Sequence, residues 1–113
     1  RLFPDQVVRN GTKSCVVPYA TPGAPLREEI KKSVEEFIGR NGYFPKLILL
    51  KNHGIITASA SIQEATVSTL MCEKSAEIYI GAKMLNIIQF LTPEEVAAVD
   101  TNPSEKYRRE LYK

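Results

Sequence analysis

Leu47-Ile48-Leu49-Leu50-Lys51-Asn52-His53-Gly54-Ile55-Ile56 is the stretch that decides the fold. Leu47 to Leu50 is apolar at every position, so both faces of the segment must be covered; Lys46 to Leu50 reads as a buried strand. Asn52-His53-Gly54 interrupts the apolar run, and the glycine permits a tight turn or a close backbone approach. Ile55 to Ala58 resumes as a second strand.

Upstream of this pair lies an amphipathic helix, expected over Leu26 to Ile38. Leu26, Ile30, Val34, Phe37 and Ile38 share one face at i, i+4 spacing. Pro25 suits its first turn, Glu28 and Glu29 complement its dipole, and Gly39 with Asn41-Gly42 ends it. The stretch before it is rich in turns, with Pro4-Asp5, Asn10-Gly11, Pro18, Pro22, Gly23 and Pro25. Two β-branched pieces, Val7-Val8 and Cys15-Val16-Val17, flank Asn10-Gly11 and suggest a hairpin.

Downstream, Ser61 with Glu64 three residues on is a capping-box signature. It opens a long helix reaching Leu85, with Ala65, Leu70, Met71, Ala76, Tyr79, Ile80 and Met84 as its expected apolar positions. Thr92-Pro93-Glu94-Glu95 repeats the cap logic for a short helix through Val99. Ser104 to Tyr112 reads as a final, polar helix. The class is therefore α/β, short strands with helices packed over them.

The 113 residues make one small domain, with 43% hydrophobic and 25% charged residues. That balance is ordinary for a globular chain. A net charge of +2, from 15 Lys and Arg against 13 Asp and Glu, gives no argument for nucleic acid. Lys106, Arg108, Arg109 and Lys113 read as a solvated helix face. No apolar run approaches a membrane span, so no membrane partner is expected. Cys15 and Cys72 lack disulfide-framework or C-x-x-C spacing, and Cys72 reads as a buried free thiol; both fit a reducing, cytoplasmic setting. The chain opens at Arg1 on sequence that already reads as structured, which suggests a fragment, a processed product or a trimmed chain.

His53 is the one histidine. Imidazole is the commonest zinc ligand and a frequent general base, and beside a glycine at a strand end its ring has room to reach a cleft. A structural histidine bonded to a neighbouring carbonyl suits the same position. A catalytic zinc takes three protein ligands, and this chain has no H-x-H or H-E-x-x-H spacing to supply them. There is no G-x-S-x-G, P-loop or G-x-G-x-x-G, and the adjacent pairs Glu35-Glu36 and Glu94-Glu95 are explained by helix surface and cap. Pro18-Tyr19-Ala20-Thr21-Pro22-Gly23 forms a stiff irregular loop. It is either a plain strand-to-helix connection or a means of presenting Tyr19 or Thr21 to a substrate.

Taken in order, Val17-Pro18-Tyr19-Ala20-Thr21-Pro22-Gly23, a helix, Leu49-Leu50-Lys51-Asn52-His53-Gly54-Ile55-Ile56, Glu64-Ala65 near a helix start, and Leu91-Thr92-Pro93-Glu94-Glu95-Val96 resemble the class II aldolase/adducin family. The family includes fuculose-phosphate and rhamnulose-phosphate aldolases. The resemblance runs from about Val16 to Val99.

The resemblance implies that residues 1–113 are the C-terminal portion of a single three-layer α/β/α domain with a mostly antiparallel sheet. It implies a homo-oligomer, a tetramer in many members, with active sites between subunits. It also implies Zn2+ held by three histidines, two from an H-x-H motif and the third matched by His53, acting as Lewis acid on a sugar-phosphate substrate. The H-x-H motif, the catalytic Glu and the Gly/Ser phosphate-binding segments belong upstream and are not in this chain. Pro22 stands where the fuculose-phosphate type carries an aromatic residue. Tyr19 and Thr21 are the candidate substrate-binding residues. A sugar-phosphate epimerase, a thioribulose-phosphate dehydratase and an adducin-like, non-enzymatic interaction domain share this pattern. Without upstream strands, the Leu47–Leu50 strand is expected to expose a pairing edge.

Overall fold

The computed structural model describes residues 1–111, which form five helices and three strands. They are α1 (Pro4–Asn10), β1 (Cys15–Val17), α2 (Ala24–Asn41), β2 (Leu47–Leu50), β3 (Gly54–Thr57), α3 (Ile62–Met84), α4 (Pro93–Thr101) and α5 (Pro103–Leu111). Tyr112, expected in the last helix, and Lys113 of the basic cluster lie outside the described residues.

The strands form one sheet in the order β1-β2-β3. β2 and β3 are antiparallel, with Leu50 opposite Gly54 and Leu47 opposite Thr57. β1 and β2 are parallel, with Cys15 beside Ile48 and Val17 beside Leu50. The sheet is thus mixed, not mostly antiparallel. The cause is α2: its 18 residues carry the chain back along the sheet, the kind of crossover that parallel neighbours require. β2 is consequently the central strand, and the open edges belong to β1 and β3 rather than to Leu47–Leu50.

Val7-Val8 is helical, contrary to the hairpin expectation. Pro4 occupies the first turn of α1, and Asp5 complements the dipole there. The Leu2 amide donates to Gln6 Oε1 at 2.8 Å, satisfying a backbone donor at the helix start. Gly11, at φ 77°, ends the helix, so Asn10-Gly11 is a helix terminus and not a hairpin turn.

One face of the sheet carries Cys15, Val17, Ile48 and Leu50 against Phe37 of α2, with Ile30 and Val34 packed alongside. Buried Ser33 completes this helix face in place of Ile38, which is exposed. Its carbonyl accepts from the Cys15 thiol at 3.5 Å, which favours a small residue there. α2 ends on Gly42 in the left-handed region, and Gly39 lies inside the helix.

On α3, Ser61 Oγ accepts from the Glu64 amide at 3.2 Å. Glu64 Oε2 accepts from the Ala60 amide at 3.3 Å instead of closing a box on Ser61. Thr92 and Glu95 do make the full reciprocal box, at 3.2 and 2.8 Å. The buried face of α3 is built on Ser68 and Ser75. Buried Asn10 of α1 donates from Nδ2 to Ser68 O at 2.9 Å and to Ser68 Oγ at 2.8 Å. Small side chains admit this close pair. The expected face is therefore misplaced in part: Leu70, Ile80 and Met84 are exposed, while Ala65 and Met71 are half-buried.

Both cysteines are free; Cys15 is buried, and Cys72 is only half-buried. No described helix is long and apolar enough to cross a membrane.

Candidate functional site

Because β1 and β2 run parallel, the loop after β1 and the turn after β2 leave the same end of the sheet. The first carries Tyr19 and Thr21, and the second carries His53. In open sheets, the carboxyl ends of parallel strands are where ligands gather. The two segments are joined directly: the Lys51 amide donates to the Val17 carbonyl at 3.1 Å. The turn itself closes through the His53 amide on the Leu50 carbonyl, also 3.1 Å.

Asn52 makes this turn possible. Its φ is 57°, a left-handed conformation that asparagine tolerates better than most residues. Gly54 follows at φ 153°, where a side chain is strained. The backbone is therefore fixed on both sides of His53, while its imidazole stands exposed to solvent.

Across the end of the sheet, Tyr19 is 60% exposed and Thr21 is exposed. The Thr21 carbonyl accepts from the Leu26 amide at 3.2 Å, which folds the loop onto the start of α2. That helix starts earlier than expected, so its first turn holds no acidic residue, and Gly23 supplies no side-chain cap. The positive end of α2 therefore opens beside the loop without the carboxylates expected from Glu28 and Glu29.

The topology brings Tyr19, Thr21 and His53 to one end of the sheet. It does not add ligands to His53: among the described residues, no three His, Cys, Asp or Glu side chains are grouped to hold a metal. Cys15 lies in the core under α2, and Cys72 lies on α3. The described residues thus offer one imidazole, not a complete zinc set.

Sequence reasoning missed the backbone tie from Lys51 to Val17, since a parallel partner carries no local signal. Asn52 as the pivot was legible as a turn residue, but its left-handed conformation emerges only with the strands in place. Arg1 was also missed. Its side chain donates from Nε to Gly11 O at 2.9 Å, and from Nη2 to Asn10 O at 3.2 Å and Ser14 Oγ at 2.9 Å, clamping the end of α1 to the start of β1.

The family model of the class II aldolase and adducin N-terminal domain matches residues 3–80, a span holding both the β1–α2 loop and the His53 turn. This chain belongs to the class II aldolase and adducin family. Among solved structures, this class II aldolase-family chain is similar to YgbL from Klebsiella pneumoniae, described as a candidate aldolase/epimerase/decarboxylase. Identity is 30% and the TM-score 0.68, over 87% of this chain and 43% of that one. YgbL from Escherichia coli, described in the same words, gives 26% identity and a TM-score of 0.64, over 87% of this chain and 43% of that one. An aldolase II superfamily protein from Pseudomonas syringae shares the fold at 19% identity and a TM-score of 0.61, over 97% of this chain and 45% of that one. The chain thus spans less than half the length of each structure it matches. Among curated proteins, no sequence matched.

Proposed function

We propose that this chain is part of a zinc-dependent aldolase that cleaves a ketose phosphate to dihydroxyacetone phosphate and an aldehyde. His53 contributes one metal ligand, and the other ligands come from sequence beyond these residues. The observation that carries the reading is the His53 turn: an exposed imidazole on a backbone fixed at both flanks, at the sheet end that also bears Tyr19 and Thr21. Those two side chains contact the sugar phosphate. The complete domain has three α/β/α layers and works as a cytoplasmic homo-oligomer, a tetramer as in many members of the family.

The described residues alone do not make up a zinc ligand set. What this chain supplies is placement. A ligand on a turn fixed by backbone bonds is held in position before substrate arrives, which lowers the cost of ordering it.

A second reading is a sugar-phosphate epimerase or dehydratase on the same fold; the description of YgbL, which names aldolase, epimerase and decarboxylase, supports the epimerase. An adducin-like scaffold is the non-enzymatic alternative within the family.

The test is zinc content, with and without His53→Ala, on the longest natural chain that contains these residues. Stoichiometric zinc that is lost on substitution supports the ligand role, and screening ketose phosphates for cleavage then separates aldolase from epimerase or dehydratase. A zinc-supplied parent chain that holds no metal removes the aldolase reading and favours the scaffold.

A further inference from the structure

The segments that lead into β1 and β2 meet at the amino end of the sheet, opposite the His53 turn. Between them and α4 opens a cavity of about 280 Å³, lined by Gly11, Thr12, Tyr43, Phe44, Lys46 and Asp100. Drug-sized ligands take about 300–1,000 Å³, so this cavity suits a molecule of a single small ring.

Its walls are held stiff. The hydroxyls of Thr12 and Tyr43 share a hydrogen bond of 2.6 Å, and Lys13 Nζ donates to Asn41 Oδ1 at 3.0 Å. These two bonds pin the segment before β1 to the end of α2. Tyr43 stands edge-on to Phe37, with ring centroids 5.5 Å apart and planes at 81°. Pro45, fully buried, fixes the backbone after Phe44 and favours an extended Phe44. Phe44 is nonetheless 55% exposed and Tyr43 40%. Two aromatic rings are thus kept in solvent on a rigid loop, beside polar groups instead of in the core. They offer flat apolar faces to a ligand at little ordering cost.

The polar groups select the ligand's chemistry. Lys46 and Asp100 bring one positive and one negative charge, and neither is free within the fold. Their charges offset each other, so the cavity favours neither an anion nor a cation. With the Thr12 and Tyr43 hydroxyls they supply both donors and acceptors. The matching ligand is uncharged, has C–H groups on a flat face and carries hydroxyls around its edge.

We infer that this cavity binds a neutral monosaccharide, a pyranose stacked on Phe44 with its hydroxyls bonded to Asp100, Lys46 and the Thr12–Tyr43 pair. The inference depends neither on zinc nor on the reaction proposed for the His53 end.

Saturation-transfer NMR on the longest natural chain that contains these residues tests it. The probes are glucose, galactose, mannose and fucose, with cyclohexanol and glucuronate as comparisons. The expected result is saturable binding of at least one of the four sugars with a Kd on the order of 1 mM, matched by neither comparison. Phe44→Leu keeps an apolar side chain but loses the ring, and should weaken that sugar at least about fivefold, while Phe44→Tyr retains it. Tyr43→Phe keeps the ring, removes the hydroxyl and should weaken binding independently. His53→Ala should leave it unchanged. Thermal midpoints show that each variant is folded. No saturable binding of any of the four sugars overturns the inference. Tighter binding of cyclohexanol would make the cavity a plain apolar groove, and tighter binding of glucuronate would make it an anion site; either overturns it. So does a Phe44→Leu variant that binds like its parent, or binding lost in His53→Ala, which would put the sugar at the other end of the sheet.

Discussion

The Lys51 amide donates to the Val17 carbonyl at 3.1 Å, joining the ends of two parallel strands that an entire helix separates in sequence. Replacing Lys51 with proline removes the donor and leaves the Val17 carbonyl without its partner. The expected loss is about 1–3 kcal/mol. Lys51→Ala keeps the N–H and should stay within about 0.5 kcal/mol of the parent, because the side chain is exposed. Urea denaturation of both variants measures this. An alanine variant as unstable as the proline variant would show that the bond is not the cause.

Asn52 occupies the left-handed region at φ 57°. A β-branched residue there meets its own carbonyl, so Asn52→Val should cost about 1–2 kcal/mol. Asn52→Gly should be nearly neutral in the folded state. Thermal midpoints of the two variants give the comparison, and equal midpoints would contradict the strain argument.

His53 is exposed, and its ring makes no hydrogen bond among the described residues. His53→Ala should therefore shift stability by no more than about 0.5 kcal/mol, typical of a surface site. If the same variant of the longer natural chain loses zinc, the loss is one of ligation and not of folding. A large drop in stability would instead assign His53 a structural role.

Buried Asn10 bonds Ser68 twice through Nδ2. Asn10→Ala removes both bonds and leaves the Ser68 hydroxyl without that donor, for about 1–3 kcal/mol. The Oδ1 of Asn10 is itself buried without a partner among the described residues, which places the net loss toward the lower figure. Denaturant midpoints for Asn10→Ala, Ser68→Ala and the double variant test it. Additive losses would mean that the two residues do not act as a pair.

Burial raises the pKa of the Cys15 thiol above its ordinary 9.0, an effect that Arg40 partly opposes. The unfolded chain therefore releases this proton first. Stability from the neutral thiol is fully present below the ordinary value and is lost as pH climbs through the raised one. Stability measured from about pH 8 upward should fall more steeply in the parent than in Cys15→Ala. Equal slopes would remove Cys15 from the account.

Elements whose signals are local could be read from sequence. Ser61 and Thr92 cap helices because each side chain needs only the amide three residues on. The strand–turn–strand around His53 was legible because its antiparallel partner is adjacent. α1 was missed because β-branched Val7-Val8 outweighed Pro4, Asp5 and Gly11, three helix-boundary signals that agree with one another. The direction of β1 depends on a partner beyond α2, and no neighbouring residue encodes it. The buried face of α3 was misread in part because its apolar and polar residues are mixed around the helix and mark no unique stripe, and the decisive contact is Ser68 against Asn10. Of the candidate site, the residues were visible, but their meeting at one sheet end follows only from the parallel register.

That register also sets an order of assembly. The β2–β3 hairpin closes across a three-residue turn and can form in about 1–10 μs, whereas β1 must wait for α2 to bring it alongside. The backbone around His53 thus takes shape while Tyr19 and Thr21 are still far away along an unfolded chain. Docking of the loop, through one bond between Lys51 and Val17, is the late event. Variants that slow that docking should prolong a state with the histidine turn formed and the facing loop absent.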